Sequence, residues 1–397
     1  MSSEPTGSRD GLIVTGGVLV NGGLGYLVQV VAGLLLTASE YRDFGVVWAA
    51  VFFVAGALTG LQQEVTRDVR RGERGTSVVR VAILVGVGLG APLAVAALLL
   101  PDAAPTIWPM VAAAASIAVH GVVTGAAYGT GAPRWAAVAL VLEGTIRAAL
   151  LLTIIVAAGG STLPLGLGIA LPFLAAALLV LPGLARRTGP VRLAATPRRV
   201  ASNIAQTLLA SAASATLVSG YPMFLALLAS STAVELGAFV FAFTLTRAPL
   251  VVVMLGLQSF LIAAFRDRAP SRATVLGALG ALTAAIAVLA ALAGAAGPWL
   301  LERYFDPGFA LDAATLFWIV LSAAPLCVLC ITGPLALSRA QHRTFATGWI
   351  TAAIVAVAAL PLGTLLGLPF FTVAVAAIML GPVLGALVHA AGLGRRG

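Results

Sequence analysis

Three charged side chains stand inside stretches that are otherwise apolar, and the chemistry open to them is anion binding and charge relay. Arg247 lies in Thr244-Leu245-Thr246-Arg247-Ala248-Pro249, and Glu143 and Arg147 lie four residues apart in another apolar run. An arginine at the centre of a bilayer costs about 2.5–3.5 kcal/mol on insertion scales, so Arg247 is expected to face a protein interior or a wet cavity. Pro249 loosens the helix beside it. A guanidinium so placed can bind an anionic group bidentately, with a geometry that matches phosphate. The other reading makes Arg247 a structural partner for Glu143 or for helix carbonyls. Glu143 and Arg147 share one helix face. They form either a self-neutralising pair or a cavity pair in which Glu143 relays protons and Arg147 binds a ligand. His120, also mid-run, is either a proton site or a hydrogen-bonded packing residue.

Polar residues recur elsewhere at helical spacing. The first apolar run carries Asn21, Gly25 and Gln29, and the seventh carries Asn203, Thr207 and Ser211. Arg42 and Asp43 begin the second run, and Gln62, Gln63 and Glu64 end it. Such helix-end groups either snorkel to the interface or take part in function. The candidate substrate-binding residues are Arg247, Arg147, Arg42, Asn21, Gln29 and Asn203. The candidates for proton or ion coupling are Glu143, His120 and Glu64. No metal or cofactor is expected, because Cys327 and Cys330 have no His or carboxylate near them in sequence and read as small packing residues. All 23 basic residues are Arg. The absence of lysine excludes a P-loop and a Schiff-base lysine, so transport would not be driven by ATP hydrolysis in this chain. No catalytic constellation appears, and no enzymatic activity is expected. The longest outer loop, about 298–311, offers only Glu302, Arg303 and Asp306, with Asp312 just beyond.

The elements that must position these residues are membrane helices. Only 9% of residues are charged and the mean hydropathy is +1.06, which leaves too little polar surface to cover a soluble core. Apolar runs of bilayer-spanning length are read at 11–36, 43–63, 79–100, 106–129, 134–157, 163–184, 201–228, 235–262, 273–297, 312–337, 345–366 and 370–392. The expectation is an all-α polytopic membrane protein with about twelve transmembrane helices. The first run is too long for a signal-peptide core and no basic segment precedes it, so it reads as a retained helix.

The loops between runs alternate in charge. Arg67, Arg70, Arg71 and Arg74 fall in one loop, Arg186, Arg187, Arg192, Arg198 and Arg199 in a second, and Arg266, Arg268 and Arg272 in a third. The opposite loops hold only Arg42 and Arg303, with Glu40, Asp43, Asp102, Glu302, Asp306 and Asp312 there or at helix ends. By the positive-inside rule both termini are expected in the cytoplasm. The net charge of +9 is then mostly a cytoplasmic-face charge. Anionic lipid headgroups are its expected partner, and no nucleic acid is required.

The basic segment 185–200 divides the chain into an N-terminal six-helix bundle, 1–184, and a C-terminal one, 201–397. Phe44-Gly45 and Leu236-Gly237 open the second and eighth helices, and Gly60-Leu61-Gln62-Gln63 finds a counterpart in Gly256-Leu257-Gln258-Ser259. With six helices each, the halves read as a parallel repeat, an arrangement typical of transporters. The ladder Gly121, Gly125, Gly129 is a helix-packing device.

Three segments carry a family resemblance. Thr37-Ala38-Ser39-Glu40-Tyr41-Arg42-Asp43-Phe44-Gly45, continuing through Gly56-Ala57-Leu58-Thr59-Gly60-Leu61 to Arg67, resembles the start of the polysaccharide (O-antigen) repeat-unit flippases. Gly125-Ala126-Ala127-Tyr128-Gly129-Thr130-Gly131-Ala132-Pro133-Arg134 is similar to their turn between helices four and five. Glu235-Leu236-Gly237-Ala238-Phe239 resembles the start of their eighth helix. These flippases belong to the multidrug/oligosaccharidyl-lipid/polysaccharide exporter superfamily. The resemblance implies two six-helix bundles around a central cavity. It also implies movement of a polyprenyl-pyrophosphate-linked saccharide from the inner to the outer leaflet of a bacterial plasma membrane, with Arg247 and Arg147 at the pyrophosphate and glycan-assembly enzymes as partners. A cation-coupled small-molecule or drug exporter is the alternative. It would need an embedded carboxylate, for which Glu143 is the candidate. A glycan polymerase or ligase would depend instead on Glu302, Arg303 and Asp306.

Overall fold

The computed structural model describes residues 6–71, 75–194, 197–267 and 270–394. Helix dominates, as it must where no water is at hand to satisfy peptide groups. The helices are α1 (Thr6–Leu35), α2 (Ala38–Asp68), α3 (Val78–Leu99), α4 (Ala104–Gly129), α5 (Pro133–Ala158), α6 (Thr162–Thr188), α7 (Pro197–Ala215), α8 (Tyr221–Leu228), α9 (Ala233–Asp267), α10 (Arg272–Tyr304), α11 (Ala313–Leu321), α12 (Ala323–Ser338), α13 (His342–Leu365) and α14 (Phe370–Gly394). Among the described residues, eleven helical stretches are long and apolar enough to cross a membrane. The helix α9, at 35 residues, is longer than any of them. The chain is a multi-pass, predominantly helical membrane protein.

Two expected spans are not single regular helices. The seventh, read as 201–228, is α7 and α8 joined by a π turn at Thr216–Gly220. Pro222 explains the widened turn: it has no N–H for the carbonyl of Val218, and its ring crowds that carbonyl. The tenth, read as 312–337, is interrupted at Ser322 between α11 and α12. There Pro325 cannot donate to the carbonyl of Leu321, and the Ser322 hydroxyl donates to the carbonyl of Ile319 at 2.6 Å.

Two segments read as loops also contain strands. β1 (Val69–Arg71), β2 (Thr76–Ser77) and β3 (Val191–Leu193) form a small antiparallel sheet in the order β1-β3-β2.

The chain divides into two compact units, Met1–Ala32 with Ala50–Ala215, and Gly33–Ala49 with Thr216–Gly397. In the first unit α4 packs on α3 and α6, and α5 packs on α6. The glycine ladder of α4 lies on α2. A Cβ at Gly125 would stand 2.8 Å from the Gln62 carbonyl oxygen and 2.9 Å from Val65 Cβ. The helix α7 also belongs here, and a Cβ at Gly60 would meet the Thr207 backbone at 2.8 Å.

In the second unit α13 packs on α14, and α12 packs on α9 and α14. Its aromatic centre joins Tyr41, Phe241 and Phe309, with ring centroids 4.6–5.6 Å apart. The two recurring glycines have a packing role here. Gly45 lies against Val240, and Gly237 lies against the Ala38 carbonyl so closely that a Cβ there would overlap it.

Candidate functional site

The first unit holds a polar triad in an apolar setting. Glu143 and Arg147, one helical turn apart on α5, are 0% and 2% exposed and form an ion pair. Asn21 on α1 joins both. Its Nδ2 donates to Glu143 Oε2 at 2.7 Å, and its Oδ1 accepts from Arg147 Nη2 at 2.7 Å. Gly144 makes this approach feasible, since a Cβ there would stand 2.8 Å from Asn21 Oδ1. The guanidinium also lies over the rings of Phe52 and Phe173, at 5.1 and 6.0 Å, where its charge gains a cation–π contribution. Glu143 is thus already neutralised inside its own unit. His120 is buried, with Nδ1 3.2 Å from the Phe173 carbonyl and its ring edge-on to Phe173. Gln29 on α1 is buried as well.

A second polar group in this unit ties α2 to α7. Glu64 is 3% exposed and accepts from Asn203 Nδ2 at 2.7 Å. It accepts from Arg67 Nη2 at 2.7 and 2.8 Å as well. Two residues singled out for different roles, Asn203 for substrate and Glu64 for coupling, are therefore one structural contact.

Arg247 belongs to the second unit and has a different environment. It is 1% exposed. Nη1 is 3.5 Å from Ser322 Oγ, and the guanidinium lies 4.7 Å over the ring of Phe243. Tyr221, Cys327 and Cys330 are close enough to act on it electrostatically. Nε and Nη2 have no hydrogen-bond acceptor among the described residues. Ion pairs there join Arg42 to Asp43, Arg67 to Glu64 and Arg147 to Glu143, and none reaches Arg247. A buried guanidinium with unmet donors is costly to keep, and an anion at those donors would offset that cost. Arg42 lies at the surface of the same unit, paired with Asp43 at 2.5 Å.

Several partners escaped sequence reading. Tyr221 donates to the Ala374 carbonyl at 2.5 Å and stacks loosely on Phe243. His389 is 0% exposed, and its two ring nitrogens meet Thr332 Oγ1 at 2.9 Å and the Phe345 carbonyl at 3.2 Å. Helical spacing cannot reveal such contacts, because each joins separate helices. The described residues hold no cluster of His, Cys, Asp and Glu suited to a metal.

The fold is that of the transporters of the multidrug/oligosaccharidyl-lipid/polysaccharide superfamily. An inward-facing multidrug-resistance transporter of that superfamily superposes with a TM-score of 0.68 at 13% identity, over 95% of this chain and 98% of its own. The lipid II flippase MurJ, in an inward closed conformation, superposes with a TM-score of 0.64 at 10% identity, over 96% and 87%. A superfamily transporter from Pyrococcus furiosus, whose binding pocket is described as reversed in polarity, gives 0.55 at 17% identity, over 97% and 90%. No protein-family model matches the chain. Among curated proteins, it is 30% identical over 399 residues to the uncharacterized protein Rv1510 of Mycobacterium tuberculosis, covering 94% of this chain and 88% of that one. It is 31% identical over 423 residues to the uncharacterized protein Mb3654 of Mycobacterium bovis, covering 98% and 95%. The chain belongs to one family with these mycobacterial proteins.

Proposed function

We propose that this protein is a flippase that moves a polyprenyl-pyrophosphate-linked saccharide from the inner to the outer leaflet by alternating access, and that Arg247 binds the pyrophosphate. One observation carries the reading: a fully buried guanidinium in an aromatic setting, with two donors unmet and no carboxylate among its described contacts. That is the arrangement an anionic headgroup would complete. The shared fold with MurJ supports a lipid-linked substrate. The protein acts as an exporter, not an enzyme, in a bacterial plasma membrane with its termini in the cytoplasm, beside enzymes that assemble the glycan. The closed pair of Glu143 with Arg147 speaks against cation coupling through that carboxylate.

Reconstituted vesicles test this reading. Translocation of a fluorescent polyprenyl-pyrophosphate saccharide should depend on the protein. It should fall on the order of ten- to a hundredfold in Arg247→Gln, the loss of one charge-assisted hydrogen-bonding group. Translocation unchanged in that variant would remove Arg247 from the mechanism. Protein-dependent proton exchange driven by a drug cation would favour the drug-exporter alternative.

A further inference from the structure

The small sheet gathers arginines beside the ends of α3 and α6. β3 pairs with β1 so that Arg192 stands opposite Arg70, and with β2 so that Arg192 stands opposite Ser77. Residues 64–80 and 185–200 together contain ten arginines and three carboxylates, and one of these carboxylates, Glu64, is buried and engaged by Asn203 and Arg67. Arg80, Arg186, Arg187, Arg198 and Arg199 are exposed and Arg192 is half-buried. No ion pair among the described residues reaches any of these six. The Arg192 side chain donates to a backbone carbonyl, that of Gly75, at 3.4 Å.

The surroundings indicate what neutralises this charge. On α3, Arg80 heads a stripe with Ile83, Leu84 and Val87, all about 60% exposed, at the spacing of one helix face. On α6, Arg186 lies on one face with Leu179 and Pro182, both exposed. Each helix therefore presents a cation at its end and an apolar surface below it, the order of headgroup and acyl chain in a lipid.

We propose that the three-stranded sheet and the flanking ends of α3 and α6 form a docking platform for anionic glycerophospholipids of the cytoplasmic leaflet, whose phosphates bridge Arg80, Arg186 and Arg192. The bound lipid links the N-terminal end of α3 to β3 and the C-terminal end of α6 within one unit. This site is separate from Arg247 and does not rest on the transport reading.

The test uses the whole protein in nanodiscs of equal parts phosphatidylglycerol and phosphatidylcholine, released into a native mass spectrometer. Wild type should retain phosphatidylglycerol over phosphatidylcholine. That preference should fall about fivefold for each arginine removed, in Arg192→Gln and again in Arg80→Gln/Arg192→Gln, while Arg303→Gln, in the other unit, keeps it. Neither substitution falls at a buried position, and phosphatidylglycerol should raise the melting temperature of wild type more than that of the double variant. Equal lipid ratios in wild type and the double variant overturn the proposal. So does retention of polyprenyl phosphate in place of phosphatidylglycerol at these arginines, which would assign the platform to substrate capture. An acidic protein held through Arg192 with the lipid ratio unchanged overturns it as well.

Discussion

Asn21 on α1 donates to the Glu143 carboxylate on α5 at 2.7 Å, while the oxygen of the same amide receives Arg147 at 2.7 Å. One neutral side chain thereby bonds to both members of a buried ion pair. Breaking such a pair from one side leaves an uncompensated charge and costs about 3–5 kcal/mol. Glu143→Gln is expected to destabilise the purified protein sharply, and Asn21→Leu to destabilise it less, by about 1–3 kcal/mol, each read as a lowered melting temperature. The double variant Glu143→Gln/Arg147→Met should recover much of the loss, because no charge is then stranded. Strictly additive losses in thermal unfolding would contradict a coupled triad.

Arg247 should behave in the opposite sense. Its guanidinium has no carboxylate among its described contacts and two unmet donors, so in the absence of ligand it opposes folding. Arg247→Met is expected to leave the melting temperature unchanged or raise it while abolishing anion binding, a trade common at functional sites. A drop comparable to that of Glu143→Gln would make Arg247 a structural residue.

The Glu64–Asn203 contact ties α7 to α2. Replacing Asn203 with Leu removes a hydrogen bond to a buried carboxylate, worth about 1.5–3 kcal/mol, and leaves Glu64 to Arg67 alone among its described partners. Hydrogen exchange over α7 should quicken in Asn203→Leu, while exchange over α13 and α14 stays unchanged. Unaltered protection in α7 would count against this contact as an anchor.

Asp312, in the connection before α11, caps that helix. Its carboxylate accepts from the Thr315 hydroxyl at 2.6 Å and the Thr315 amide at 2.9 Å, and these bonds hold its pKa below the ordinary carboxylate value. A group depressed in the folded state contributes stability above its unfolded pKa and loses it as pH falls through the folded value. Asp312→Ala should therefore cost about 1 kcal/mol near neutral pH, and the gap to wild type should close in acid. A gap independent of pH would show that the carboxylate charge does not matter.

Much of the fold could be read directly from the chain. Runs of apolar residues must become helices in lipid, and the alternation of arginine-rich and arginine-poor loops kept the spans in register. The Glu143–Arg147 pair was legible because its members lie one turn apart on one helix. Asn21 was visible as part of a polar stripe, but its place between those two residues was not, since 122 positions separate it from Glu143 and no local pattern spans that distance. The same holds for Tyr221 and Ser322 beside Arg247. The strands were hidden for another reason: two or three residues in an arginine-rich connection show no alternation of period two. Gly45 and Gly237 stood out as repeated signals, but only the structure shows that each makes room for a neighbouring helix.

The most direct measurement is native mass spectrometry of the gently purified protein with added polyprenyl-pyrophosphate saccharide, beside Arg247→Met at the same melting temperature. The predicted result is a one-to-one complex in wild type that is lost from the variant, which would place the arginine at the headgroup. Equal retention of the saccharide lipid by both proteins, or its absence from both, would contradict the assignment of Arg247 as the residue that binds the pyrophosphate.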